Sequence, residues 1–207
     1  KIFSKYKNVI KLKNNLINID FSSNKTEFNL FADYSFDKKY DKINFEIFKN
    51  KNDFEFNSEI EIKSNPIIFK DIEYNKKEDV TSEIIFIGKF FENNEIKFKK
   101  INFIENQNKI SISNMHLSKN FKIIDLDKLS LKYFNENKKL NNLSILKYDD
   151  NFSITSNSFD GKTIIKNLLK GKSNKGLLKR FENLNSQIKL NFEQFFIDDK
   201  DYLKNIS

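Results

Sequence analysis

Cysteine and tryptophan are absent from the 207 residues, and proline, methionine, histidine and arginine occur once each, as Pro66, Met115, His116 and Arg180. Without cysteine there is no disulfide, no thiolate nucleophile and no thiolate metal site, a condition compatible with the cytoplasm or with an oxidising compartment. A single histidine excludes a multi-histidine metal site. Any Ser-His-Asp arrangement would rest on His116, which lies in the stretch Ile112–Leu117 and reads as a solvent-facing strand residue. Glycine is scarce as well, with four in all. Three of them, Gly161, Gly171 and Gly176, fall late in the chain, and Gly88 alone lies among the alternating runs. Tight small barrels turn their corners on glycine, so the shortage points to a gently curving open sheet. No window approaches 18 consecutive apolar residues, so no membrane-spanning helix is expected. Nor is there a glycine-rich phosphate loop, a G-x-S-x-G elbow or an H-E-x-x-H pair. The pairs Asp149-Asp150 and Asp198-Asp199 sit in expected turns, where aspartate is common for backbone reasons. No enzyme activity, metal or cofactor is expected.

The formal charge is +8, yet its construction argues against nucleic acid as a partner. Arg180 is the one arginine among 37 basic residues, whereas bidentate recognition of phosphate and guanine favours arginine. The lysines are interleaved with Asp and Glu and read as solvated strand faces. Lysine, isoleucine and about 30 asparagines are what an AT-rich genome imposes on any protein.

What the chain does have is alternation at period two. Phe28, Leu30, Ala32, Tyr34 and Phe36 fall on one side, with Glu27, Asn29, Asp33 and Ser35 on the other. After a turn at Asp37–Lys42, Ile43, Phe45 and Ile47 repeat the design. Phe54, Phe56, Ile60 and Ile62 follow it against Glu55, Asn57, Glu59 and Glu61, until Ser64-Asn65-Pro66 breaks the run. Further runs are expected at 67–74, 80–91, 95–104, 109–117, 121–134, 142–148 and 151–155. They add Ile84, Phe86, Ile96, Phe98, Ile110 and Ile112 to the apolar side. Val9–Phe21 is expected to split into two short strands at Asn14-Asn15. The short polar gaps imply antiparallel hairpins, because parallel crossovers would need a helix each time. The fold class expected is therefore mainly β: a single segment of about ten to twelve strands in a long curved antiparallel meander. Its apolar face, rich in the chain's 23 phenylalanines, forms an open groove.

One stretch departs from this. From Asp160, placed as an N-cap, Ile164, Ile165, Leu168 and Leu169 space at three and four until Gly171. Leu177, Leu178 and Phe181 extend a second short stripe. These stripes, within 160–184, are expected to lie over the sheet as a cover, with strands resuming at 186–207.

The order strand, Ser158-Phe159-Asp160-Gly161, Ile164-Ile165 helix, and then the alternating strand Asn183-Leu184-Asn185-Ser186-Gln187-Ile188-Lys189-Leu190 resembles the AsmA-like family of bacterial envelope proteins, in particular its YhdP-type and TamB-type members. The resemblance is most specific over 151–207 and is a matter of pattern before that. It implies a repeating β-groove whose concave apolar face carries phospholipid acyl chains across the periplasm between inner and outer membrane. It also implies a non-enzymatic role and an inner-membrane anchor outside this segment. The start at Lys1 without methionine and the strand-like end at 202–207 likewise read as a piece of a longer protein. Burying a sixteen-carbon chain contributes about 12 kcal/mol at ~0.8 kcal/mol per methylene, so an apolar trough is a sufficient carrier without a catalytic group. Twelve strands at about 4.7 Å give roughly 55 Å of trough, a segment of a conduit. The expected partners are acyl chains, membranes contacted through other regions, and other envelope proteins. A different class of function, a structural or assembly scaffold that recruits envelope proteins by strand addition, stands as the alternative.

Overall fold

Alternation of Phe, Ile and Leu with Lys, Glu, Asn and Ser is what a sheet with one dry and one wet face requires. The computed structural model, which describes residues 10–22, 25–36, 39–50, 53–169, 186–198 and 200–207, builds such a sheet. Its strands are β1 (Lys11–Phe21), β2 (Lys25–Ser35), β3 (Asp41–Asn50), β4 (Asp53–Ile62), β5 (Ile67–Phe69), β6 (Tyr74–Lys76), β7 (Ser82–Phe90), β8 (Ile96–Glu105), β9 (Asn108–Leu117), β10 (Ile123–Phe134), β11 (Leu140–Tyr148), β12 (Asn151–Asp160), β13 (Ile188–Phe196) and β14 (Tyr202–Ile206). Twelve of them form one open sheet in chain order from β1 to β14, with β5 and β6 paired apart as a small hairpin.

Neighbouring strands are antiparallel with one exception among the described residues. β12 and β13 run parallel, with Ile154 opposite Leu190 and Phe159 opposite Phe195. A parallel pair cannot be joined by a tight turn, because the chain must first return to the end of the sheet where the previous strand began. The helix α1 (Lys162–Leu169) opens that return. It starts where the backbone N–H of Ile165 donates to Gly161 O at 2.9 Å. Asp160, still at the end of β12, accepts from the backbone N–H of Lys162 at 3.3 Å, capping the helix from one residue earlier than the usual N-cap. The second expected stripe, Leu177, Leu178 and Phe181, and the side chain of Leu168 lie outside the described residues.

Two expectations need correction. Asn14-Asn15 does not divide two strands; β1 is continuous through it, with a β-bulge where Asn14 takes φ 49°. Asparagine tolerates that left-handed conformation well enough to serve either as turn or as bulge. The run at 67–74 is not a strand of the main sheet. It is the β5–β6 hairpin, interrupted by a 3-10 helix at Lys70–Ile72, and it packs on the sheet's apolar face. Adjacent apolar residues, Ile67-Ile68-Phe69, break the period of two and leave the segment too short to pair along a ten-residue strand.

Candidate functional site

Directly opposed residues of paired strands share a face, so the register shows which side chains line up across the sheet. One row runs Ile17, Leu30, Phe45, Ser58, Phe86, Ile101, Ile112, Leu129, Ile145, Ile154 and Leu190, from β1 to β13. Only Ser58 interrupts its apolar character, and its hydroxyl donates to Asn44 O on β3. The row one residue over, on the opposite face, reads Phe31, Asn44, Glu59, Ile85, Asn102, Ser111, Ser130, Ser144, Thr155 and Asn191. One face is thus apolar across eleven strands, and the other is mostly polar.

Two further apolar rows flank the first. Ala32, Ile43, Ile60, Ile84, Phe103, Ile110, Leu131 and Leu143 form one. Ile19, Phe28, Ile47, Phe56, Gly88, Phe98, Met115 and Leu126 form the other. The strand residues expected to line a groove, Phe28, Leu30, Tyr34, Phe45, Ile47, Phe54, Phe56, Ile60, Ile62, Ile84, Phe86, Ile96, Phe98, Ile110 and Ile112, all fall on this one face. Phe36 lies just past the end of β2 with its ring edge-on to Tyr34, 5.7 Å between centroids.

The face is not uniformly open. On the side where β4 ends and β7 begins, the β5–β6 hairpin lies over it. Ile67 and Tyr74 are fully buried there with Ile62, Phe103, Leu131 and Tyr133. Tyr74 stacks edge-on to both Phe103 and Tyr133. Its hydroxyl bonds the Glu105 carboxylate, which also accepts from the side-chain amide of Asn108 at 3.0 Å. Tyr133 donates to Ile72 O at 2.7 Å. Desolvation pushes the phenols of Tyr34, Tyr74 and Tyr133 far above their ordinary range, so all three stay neutral donors. The hairpin is anchored at its base by Lys76. Its buried ammonium donates to Lys63 O, Asn65 O and Lys77 O at 3.1, 2.7 and 3.1 Å, and burial lowers its pKa. Asp41 adds a second anchor, accepting from the Ser64 backbone at 2.9 Å and from the Asn65 amide at 3.0 Å.

Helix α1 sits beside this hairpin. Thr163 hydrogen-bonds Glu73, Lys162 pairs with the same carboxylate at 3.7 Å, and Ile164 packs against the buried cluster. Ile165 is half-buried. Leu169, placed on the same stripe by its spacing, is 82% exposed at the last residue of α1 and covers nothing. The described part of the helical segment therefore closes one long side of the face, together with the hairpin that spacing alone had not identified as a cover.

Away from that side the face has no second layer among the described residues. Phe45, Phe86, Ile101, Ile112, Leu129 and Ile145 are all half-buried; the last four pack against Met115, Ile123, Leu126 and Phe152 of the sheet, and Leu129 and Ile145 also border the cluster under the hairpin. Three of the expected lining residues are properly buried: Ile62 under the hairpin, Tyr34 through its bond to Glu61 O at 2.9 Å, and Ile96 beside β9. Between β9 and β12 the face gathers a second buried cluster. Leu126, only 1% exposed, belongs to it with Met115, Ile123 and Phe152, the last of them two strands away and reached through Leu129 and Ile145. Gly88 allows a direct contact over the same span. Rings from β4 and β8, Phe56 and Phe98, meet edge-on across it at 5.7 Å between centroids.

The polar face carries little that is chemically reactive. A depression of about 380 Å³ is lined by Asn14, Phe31, Asp33, Lys42, Asn44, Glu59 and Glu61. No group of three or more metal-ligating side chains occurs among the described residues. His116, on the polar face opposite Lys97, pairs with Glu95 at 3.0 Å. Of the expected turn aspartates, Asp198 accepts from the backbone N–H groups of Asp201 and Lys200, which lowers its pKa, and Asp199 lies outside the described residues. Among the described residues no helix is long and apolar enough to cross a membrane. Comparison with protein-family models, with curated proteins and with solved structures finds no match to this chain.

Proposed function

We propose that this chain is a lipid-binding segment of a groove, its apolar face holding phospholipid acyl chains. The observation that carries the reading is the row from Ile17 to Leu190: side chains aligned across eleven strands and apolar except for the buried Ser58, half-buried between the exposed ends Ile17 and Leu190, with no second sheet but the β5–β6 hairpin among the described residues. Lipid chains need no directional partners, so such a surface is enough to hold them. The rest of the reading rests on the resemblance of residues 151–207 to the AsmA-like family: a non-enzymatic conduit in the bacterial periplasm that serves lipid transport between inner and outer membrane.

The test is native mass spectrometry of the chain purified under conditions that retain lipid on a control carrier. Phospholipid should be bound, and Phe45→Glu should abolish loading while leaving a folded protein, because Phe45 faces the half-open row opposite Ser58. Absence of lipid on the native chain would defeat the proposal.

The alternative, a scaffold for envelope assembly, draws on two observations. The cluster under the β5–β6 hairpin is a packed core, and all eleven residues of β1 are exposed at the sheet's end, where a strand of another protein could add. Under that reading Phe45→Glu unfolds the sheet.

A further inference from the structure

The two long rims of the apolar face differ. Antiparallel alternation places the hairpins that join β2–β3, β4–β7, β8–β9 and β10–β11 on one rim. The hairpins that join β1–β2, β3–β4, β7–β8, β9–β10 and β11–β12 lie on the other, with the start of β13 beside them. The first rim is the one closed by the β5–β6 hairpin and α1. Polar bonds stitch it together, among them Asn135 Nδ2 to Asp160 at 3.0 Å and Asp41 to Ser64.

Both rims carry exposed apolar side chains, Leu12 at 46%, Phe134 at 43% and Leu140 at 39% among those on the first, but on the second they recur from hairpin to hairpin. Phe21 is 78% exposed, Phe54 41%, Phe90 40%, Phe121 57% and Ile188 59%. Each belongs to a different hairpin or strand start. Phe21, Phe54 and Phe90 are also the outermost residues of the apolar face on their strands, since Phe21 opposes Thr26, Thr26 opposes Lys49, Lys49 opposes Phe54, and Phe54 opposes Phe90. None of these three belongs to either buried cluster.

We propose that this rim is a docking edge for a zwitterionic phospholipid surface. Three features favour a bilayer over a protein. First, the apolar groups are strung along four of the rim's five hairpins and the start of β13, on the order of 50 Å at ~4.8 Å per strand, with polar turns between them. A protein interface gathers its anchors at a desolvated centre instead, whereas aromatic rings spaced along an edge suit a planar headgroup layer. Second, the rim is mixed in sign, with Lys25, Lys49 and Lys119 at some of its hairpins and Glu92, Asp149 and Asp150 at others, so attraction to anionic lipid is not the driving force. Third, although Thr26 and Lys49 interrupt it between Phe21 and Phe54, the rim is continuous with the apolar face at Phe54, Phe90 and Ile96, so a chain leaving the face there would enter the bilayer core without crossing a polar strip. Only this last feature rests on the groove reading above.

Flotation with phosphatidylcholine–phosphatidylethanolamine vesicles tests the proposal. The native chain should float, and Phe21→Ser with Phe90→Ser should weaken binding by roughly tenfold or more, about 1.4 kcal/mol per tenfold. Adding phosphatidylglycerol or half-molar salt should change binding little. The control variant, Phe134→Ser with Leu140→Ser on the other rim, should bind like the native chain. The proposal is overturned by a native chain that stays with the aqueous phase, by rim variants that float undiminished, or by binding that appears only with anionic lipid. Native mass spectrometry of the rim variants separates the two readings. Retained lipid with lost flotation supports the docking edge, while a native chain that floats without ever holding lipid refutes the groove alone.

Discussion

Gly88 is where the apolar face allows no side chain at all. A Cβ there would lie 2.5 Å from Lys97 O, a backbone atom that cannot swing aside, and 2.7 Å from the Phe56 ring. Gly88→Ala should therefore cost about 1–3 kcal/mol, read as a lowered urea midpoint, and a midpoint unchanged would show the strands free to move apart. Glu83 on the polar face makes a different prediction. Its hydrogen bond with Glu59, aided by burial and by repulsion from that carboxylate, raises its pKa above 4.5. The folded chain then holds this proton more tightly than the unfolded chain. The resulting stabilisation is full below about pH 4.5 and is lost as the pH rises through the raised folded value. Denaturation midpoints should favour Glu83→Gln over the native chain increasingly from pH 4.5 to 7; a constant difference would contradict the shared proton. The scarcity of glycine among the strands was legible in the sequence as a sign of an open sheet, but the reason for this one glycine was not. It depends on a bulge in β8 and on two phenylalanines that are 42 residues apart in the chain and meet only once the sheet curls.

Among the elements, the helix has the clearest explanation. The alternating runs implied antiparallel hairpins because parallel pairs need a long return, and the helix stands where the sheet's parallel pair occurs, between β12 and β13. Spacing of Ile164 and Ile165 revealed the helix and its apolar side. The parallel pairing it serves was hidden, because strand direction leaves no trace in the residues of either strand. The β5–β6 hairpin is not legible as a flap for a similar reason: Ile67, Phe69 and Tyr74 are as suited to a sheet interior as to a flap lying on one. Tyr133→Phe tests the flap, since it removes the donor that holds Ile72 O at 2.7 Å. It should cost about 1 kcal/mol and speed amide exchange in β5 and β6 while β8 and β9 keep their protection. Equal acceleration throughout would mean that the hairpin and the sheet open only together.

At the scale of the whole molecule, the alternation of phenylalanines and their aliphatic neighbours with polar residues makes the two faces legible in the sequence, with exceptions such as Phe31 on the polar face. Ile17, Leu30, Phe45 and Phe86 share a row because their strands keep strict register. Which stretch of that face stays uncovered was not legible, since burial under the hairpin depends on contacts such as Tyr74 with Tyr133 across 59 residues of chain. The central claim is that the uncovered stretch holds lipid, and photo-crosslinking tests it most directly. A benzophenone side chain placed at Phe45 or Ile112 on the apolar face, and at Ile85 on the opposite one, would be irradiated in chain purified with its lipid. Adducts of phospholipid mass are expected at Phe45 and Ile112 and none at Ile85; adducts at all three positions, or at none, would contradict the account.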